Sequence, residues 1–293
     1  MIATIISALR VYQWPKNLVV FGALVFAEEL SDPRQAVKSI IAFAVFCAAS
    51  SAIYILNDIF DVEKDRMHPD KRSRPIASGA LSMPVAAAMV VLLAVGALAT
   101  SFALHSMLAY AVIAFLALNL LYTLVLKNVM ILDVLAIAIS FVLRGVAGAL
   151  VLDVKFSNWL VVCTMFLALF LALGKRRREI GVLEKEAIHH REVLGQYTVP
   201  YLDALMIVLA GTTLLTYTIY TCSPEVVQRL GTDKLYLTLP YVVYGLFRCL
   251  YLVHHKSGGG DPSRTLVRDV PLLAAVLLWG LTVVGIIYGL RGR

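Results

Sequence analysis

Apolar residues fall in long runs separated by short polar stretches, and the spacing of those runs predicts the architecture. Nine runs lie near residues 17–29, 35–56, 84–104, 107–126, 131–152, 158–174, 200–221, 235–253 and 270–290. A helix crossing a bilayer needs about 20 apolar residues, so eight runs are long enough and the first is short, tilted or entered from the interface. The pattern predicts an all-α polytopic membrane protein of about nine transmembrane helices, forming one integral domain over residues 1–293.

Composition agrees with that class. The chain is 60% hydrophobic and 15% charged, with a mean hydropathy of +0.83, against about 25% charged residues in soluble domains. Residues 1–6 are apolar but too short for a cleavable signal peptide, and Arg10 and Lys16 follow. Cys47, Cys163, Cys222 and Cys249 are scattered without metal or redox spacing. The net charge of +7 suits phosphorylated substrates and anionic lipid, while the basic residues sit in gaps between runs and form no nucleic-acid module. Seventeen Lys and Arg lie on the side of the N-terminus and seven on the other. The positive-inside rule therefore puts the N-terminus in the cytoplasm of a cell inner membrane and the C-terminus outside. Loops 57–83 and 174–199 then share the cytoplasmic face and could close over a single cavity.

The first loop carries the candidate chemistry. Asn57, Asp58, Asp61 and Asp65 would fall at roughly 0°, 100°, 40° and 80° around a helix, placing three carboxylates and a carboxamide on one quarter of its surface. Carboxylates so close repel unless a cation sits among them. Mg²⁺ takes such oxygens and shares them with phosphates. Lys71, Arg72 and Arg74 follow and suit a polyanion, so the stretch reads as a metal-diphosphate site. A solvated charged loop capping a helix is the plainer alternative.

Asn57-Asp58-x-x-Asp61-x-x-x-Asp65, reached from a long apolar helix, resembles the first aspartate-rich motif of the UbiA superfamily of intramembrane prenyltransferases. The resemblance implies nine helices around a central cavity, open to the cytoplasm and sideways to lipid, with Mg²⁺ holding a diphosphate. Over nearly the whole chain the sequence is similar to the decaprenyl-phosphate phosphoribosyltransferase branch. Leu9-Arg10-x-x-Gln13-Trp14-x-Lys16-Asn17, His68-Pro69-x-Lys71-x-x-Arg74-Pro75-Ile76-Ala77-x-Gly79, the set Tyr122, Lys127, Asp133, Arg144 and Gly148, then Arg191-x-x-Leu194-x-x-Tyr197-Thr198 and Leu266-Val267-Arg268-Asp269, carry it. That branch moves phosphoribose from 5-phosphoribosyl-1-diphosphate to a polyprenyl phosphate. The resemblance implies Asp58, Asp61, Asn57 and Asp65 as metal-holding catalytic residues. It further implies Lys16, Lys71, Arg74, Tyr122, Lys127, Arg144, Lys175, Arg176, Glu179 and Tyr197 as substrate-binding ones.

The second loop separates the branches. An aromatic prenyltransferase would carry a second acidic motif there, whereas this chain reads Gly174-Lys-Arg-Arg-Arg-Glu-Ile180, with Glu179 its one acid. Cationic contact with phosphate replaces a second metal site, which favours phosphoribosyl transfer. Arg177 and Arg178 are equally readable as positive-inside anchors. Asp133 and Arg144 are eleven residues apart, nearly one azimuth and about 16 Å along a helix. Arg144 either lines the cavity or pairs with a carboxylate, because an unpaired intramembrane guanidinium is costly. Arg248 can snorkel. His105, His189, His190, His254 and His255 read as interfacial, and Gly258-Gly-Gly260 as a flexible loop. Two other functions share parts of the pattern: UbiA-type prenyl transfer to an aromatic acceptor, and a non-enzymatic transporter. The sequence does not fix the oligomeric state, a homo-oligomer included.

Overall fold

The computed structural model describes residues 2–67, 71–155, 157–183, 192–255 and 269–289. Among them the chain is helical throughout: α1 (Ile2–Leu9), a 3-10 helix (Val11–Phe21), α2 (Gly22–Phe26), α3 (Pro33–Phe60), α4 (Val62–Met67), α5 (Met83–Leu104), α6 (Ser106–Leu124), α7 (Leu132–Val151), α8 (Asn158–Leu183), α9 (Val199–Cys222), α10 (Pro224–Leu230), α11 (Leu239–His255) and α12 (Val270–Gly289). Local rules set several starts. Asp32, Thr198 and Ser223 accept bonds from Arg34 N, Tyr201 N and Val226 N, each beside a proline in the first turn. Hydroxyls within the spans, such as Ser101, Thr164 and Thr213, donate to carbonyls one turn back. That satisfies them where lipid offers no partner.

Among the described residues eight helices are long and apolar enough to cross a membrane, and they match the last eight predicted runs. The first predicted run, 17–29, is different. It belongs to a 3-10 helix with Pro15 inside, followed by the five-residue α2. At about 2.0 Å per residue, a 3-10 helix reaches further than an α-helix of equal length, so this short run covers much ground. At one end Arg10 meets Asp58 near the end of α3. At the other, the Tyr288 hydroxyl of α12 donates to Leu24 O and Val25 O and accepts from Leu30 N. Between those ends Trp14 Nε1 donates to Ser51 Oγ and Asn17 Nδ2 to Cys47 Sγ, so the segment runs antiparallel to the C-terminal half of α3.

Gly148 of α7 makes that packing achievable. A Cβ there would sit 2.1 Å from Val20 O, so only glycine lets the 3-10 backbone press this close. One apolar cluster (Val20, Phe46, Phe115 and Val151 among others) joins the N-terminal segment to α3, α6 and α7. A second (Val134, Phe170, Met206, Leu246) joins α7, α8, α9 and α11. Helix α7 contributes to both. The helix directions place the ends of α3, α6, α8 and α11 on one face with the starts of α5, α7, α9 and α12. That face holds the acidic motif.

Candidate active site

Helix α3 ends at Phe60, and Asp61 closes it with its N–H on Asn57 O at 2.9 Å before α4 begins. The motif thus spans a helix end and the next turn. Asp58 is buried between two guanidinium groups: Arg10 and Arg74 both donate to its Oδ1, the latter at 2.9 Å. The same Arg74 Nη1 reaches Asp65 Oδ2 at 2.6 Å. Asp61 turns away to Lys127 Nζ at 3.0 Å, and Asn57 Oδ1 accepts from Thr123 of α6. The four expected ligands divide accordingly: Asp58 and Asp65 converge on one cationic nitrogen, while Asp61 and Asn57 face α6 and its following turn. Among the described residues no three acids, histidines or cysteines gather as a metal set. The donor chemistry still fits a hard divalent ion, since two carboxylates already bracket a positive charge and all four groups offer oxygen.

Arg74 is delivered by a tight turn. Ser78 N and Gly79 N bond Arg74 O and Ile76 O, and Gly79 takes φ 78°, a conformation that favours glycine. Lys71, just before it, titrates below an ordinary lysine, first because burial disfavours its charge and then because Arg74 lies near. The carboxylates of Asp65, Glu179 and Asp61 pull in the opposite direction, which puts Lys71 within electrostatic range of both polar stretches.

The second stretch is not a loop where the sequence suggested one. Helix α8 continues unbroken to Leu183, so residues 174–183 are helical and only the following part connects to α9. Helical spacing sends the four basic residues in different directions. Arg176 is 1% exposed, donating Nε to Asp133 Oδ2 and Nη1 to Glu179 Oε2 (both 2.6 Å), with Nη2 3.4 Å from the Tyr122 hydroxyl. Tyr197 donates to Asp133 Oδ1 at 2.8 Å and accepts from Ile131 N at 2.8 Å. Burial and the Asp133 charge push its phenol up. Arg176, Glu179 and Tyr197, expected at the substrate, form a clasp binding the ends of α6 and α8 to the start of α7 and the approach to α9. Each spends its polar atoms on a neighbour. Arg177 pairs with Asp203, which also faces His254.

Between these two stretches lies a cavity of about 430 Å³. Arg10, Lys16, Asn57, Tyr122, Arg144, Lys175 and Arg178 line it together with Leu18, Val19, Phe141 and Leu171. Lys16, Tyr122, Arg144 and Lys175 were singled out from the sequence; Arg10 and Arg178 were not. Arg10 sits within a quoted motif, in a left-handed conformation (φ 51°, ψ 49°) that joins α1 to the 3-10 helix and aims its side chain at Asp58 and over the Tyr54 ring. Only the missing regularity of that turn could have flagged it. Among the described residues no carboxylate pairs with Arg144: Asn17 and Ser140 hold it, and Phe115 and Phe141 flank it. Arg248 does not snorkel but forms a two-pronged pair with Asp269 at 3.1 and 3.0 Å. His105 joins α5 to α6 facing Asp153. His68, Pro69, His189, His190, Arg191, Gly258–Gly260 and Leu266–Arg268 lie outside the described residues.

Comparison with known proteins gives this arrangement its context. The model of the UbiA prenyltransferase family matches residues 18–266. The chain is 32% identical over 297 residues to decaprenyl-phosphate phosphoribosyltransferase of Mycolicibacterium smegmatis, covering 98% of this chain and 93% of that one. It is also 32% identical over 288 residues to the protein of that name from Corynebacterium glutamicum, covering 97% and 86%. The solved UbiA homologue from Archaeoglobus fulgidus bound to DMAPP and Mg²⁺ has a TM-score of 0.72 over 96% of this chain and 98% of that chain, at 17% identity. Fold and relatives together define an integral membrane transferase. The chain belongs to the UbiA prenyltransferase family.

Proposed function

We propose that this protein transfers 5-phosphoribose from 5-phosphoribosyl-1-diphosphate to a polyprenyl phosphate of decaprenyl type, releasing diphosphate. In this reading the reaction requires Mg²⁺ and takes place at the cytoplasmic face of the inner membrane, with residues 57–83 and 174–199 covering the cavity. The observation that carries it is the sign of the cavity lining. Five basic side chains from the N-terminal segment, α7 and α8 line it. Glu179, the one acid between Gly174 and Ile180, is engaged by Arg176 and Lys175. A donor with phosphate at both ends and an acceptor that is itself a phosphate need that positive charge; an aromatic acceptor does not. The names of these relatives point the same way.

The chemistry asks mostly for position and charge. As the bond from C1 to diphosphate breaks, negative charge grows on the leaving group. Mg²⁺ held by Asp58, Asp61, Asn57 and Asp65 would supply Lewis-acid stabilisation of that charge. Lys71, Arg74 and Lys175 would grip the donor's phosphates, and Lys127 would hold Asp61 in place. Apolar walls at Val19, Phe141 and Leu171 keep water from competing for C1. The acceptor phosphate is already an anion near neutral pH, so no general base is needed.

Purified protein given labelled phosphoribosyl diphosphate, polyprenyl phosphate and Mg²⁺ should carry label into the organic phase. Label that moves only when an aromatic acceptor and a polyprenyl diphosphate are supplied would overturn the proposal in favour of prenyl transfer.

A further inference from the structure

Arg144 lies twelve residues into α7, about 18 Å from that helix's start on the motif face, and is 4% exposed. Its surroundings hold it rigidly without neutralising it. Nε donates to Asn17 Oδ1 at 2.7 Å, and Nη1 donates to both Ser140 O and Ser140 Oγ at 2.9 Å. Its carbon Cζ stands 4.6 Å from the Phe115 ring centre and 5.1 Å from that of Phe141. Asn17 is itself fixed, accepting from Ser50 Oγ and donating to Cys47 Sγ, both at 3.3 Å. All these partners are neutral. No carboxylate among the described residues pairs with Arg144, while every other buried ionised side chain named above has a counter-charge. A buried cation without one is strongly unfavourable, yet this cation faces a cavity.

We infer that Arg144, clamped by Asn17 and Ser140, is the binding site for the phosphate of the lipid acceptor, separate from the diphosphate-holding groups of the motif face. The inference rests on the phosphoribosyl-transfer reading and assigns one of its two substrates to a place. Three observations favour the acceptor over the donor's 5-phosphate. The site lies deep, away from Lys71 and Arg74, which sit on the motif face. Phe115 and Phe141 flank it and the cavity it faces is also lined by Leu18, Val19 and Leu171, an apolar setting suited to the first isoprene units and ill suited to ribose hydroxyls. And displacement at C1 requires the incoming oxygen opposite the departing diphosphate, which a deep acceptor and a donor at the motif face provide.

The step balances without further reactants. An acceptor phosphate oxygen forms a bond to C1 while the bond from C1 to the diphosphate oxygen breaks, and the electron pair leaves with diphosphate. The acceptor changes from a monoester dianion to a diester monoanion. Arg144 therefore holds substrate more strongly than product, which helps release.

Asn17→Asp tests this with little steric change. The new carboxylate would take the same bonds from Arg144 and Ser50 and neutralise the guanidinium in place. Binding to the full-length protein in nanodiscs is measured for farnesyl phosphate, for farnesol and for phosphoribosyl diphosphate. Asn17→Asp should weaken farnesyl phosphate about tenfold or more, leave farnesol unchanged and leave phosphoribosyl diphosphate within about twofold. Arg144→Lys, which keeps a charge but loses the fork, should shift the same ligand in the same direction, and it serves if Asn17→Asp does not fold. Unchanged farnesyl phosphate binding overturns the inference, and selective loss of phosphoribosyl diphosphate moves the site to the donor. These binding results stand whether or not the protein transfers phosphoribose, so failure of the reaction assay is distinguishable from failure of this site.

Discussion

Replacing Asp133 by asparagine separates two roles for Arg176, one in substrate binding and one in holding the helices together. Asp133 is fully buried and Arg176 nearly so, joined at 2.6 Å. Breaking a buried pair by removing one charge costs about 3–5 kcal/mol, because the remaining ion stays desolvated. Two features reduce that figure here. Glu179 stays 2.6 Å from Nη1 and retains part of the counter-charge. An asparagine oxygen can still accept the Tyr197 hydroxyl bond. The expected loss is therefore about 2–3 kcal/mol. Equilibrium unfolding in mixed micelles measures it, and an Asp133→Asn, Arg176→Met double variant should recover part of the loss because no charge is then stranded. With steady-state kinetics on the folded fraction, donor KM should stay within about threefold of the parent. Unchanged stability together with a large rise in donor KM would refute the clasp and return Arg176 to the substrate.

Other outcomes follow from the same geometry. Gly148→Ala places a methyl 2.1 Å from Val20 O, and should cost about 3 kcal/mol or more in the same unfolding assay as the 3-10 helix is pushed off α7; an unchanged midpoint would contradict the close approach. Asp58→Ala and Asp61→Ala should each lower Mg²⁺-dependent transfer by about a hundredfold or more, and normal activity in either would remove the motif from the chemistry. Because Arg74 already bridges Asp58 and Asp65, EDTA should abolish transfer yet leave the melting temperature unchanged, and a large drop would show that the fold depends on metal. Lys71 has a lowered pKa without ligand, so at alkaline pH part of it is neutral and an arriving diphosphate raises its pKa again. Donor binding there should take up protons, seen by calorimetry in buffers of different ionisation enthalpy, and Lys71→Arg should remove the uptake. Identical proton uptake in the variant would place Lys71 away from the donor.

The spans were legible because their signal is additive: each apolar run of bilayer length says the same thing at every position. The N-terminal segment escaped that reading because a 3-10 helix with Pro15 inside and Gln13 and Asn17 turned inward is neither long nor uniformly apolar. The acidic motif was legible as a cluster, since sequence neighbours stay neighbours at a helix end. How it is compensated was not, because Arg10 and Lys127 come from 48 residues before Asp58 and 66 after Asp61. The run of Lys175 to Arg178 read as a basic loop because positive charge is what loops on that side contain. Helix continuation gave each residue its own direction, so Lys175 and Arg178 face the cavity while Arg176 is buried and Arg177 meets Asp203. Asp133 and Arg144 share an azimuth about 16 Å apart, and Arg144 was readable as lining the cavity or pairing with a carboxylate; Asp133 meets Arg176, and Arg144 is held by Asn17. Side-chain partners that come from distant elements are set by packing, and one sequence does not carry that.

A density map of the protein with phosphoribosyl diphosphate and Mg²⁺ bound tests the central claim most directly. The account expects the diphosphate in the cavity between the end of α3 and the end of α8, within contact of Arg74 or Lys175, with a metal on the Asp58 and Asp61 side. A donor bound outside that cavity, or a filled cavity with the motif carboxylates still paired to Arg74 and Lys127 and no metal beside them, would contradict it.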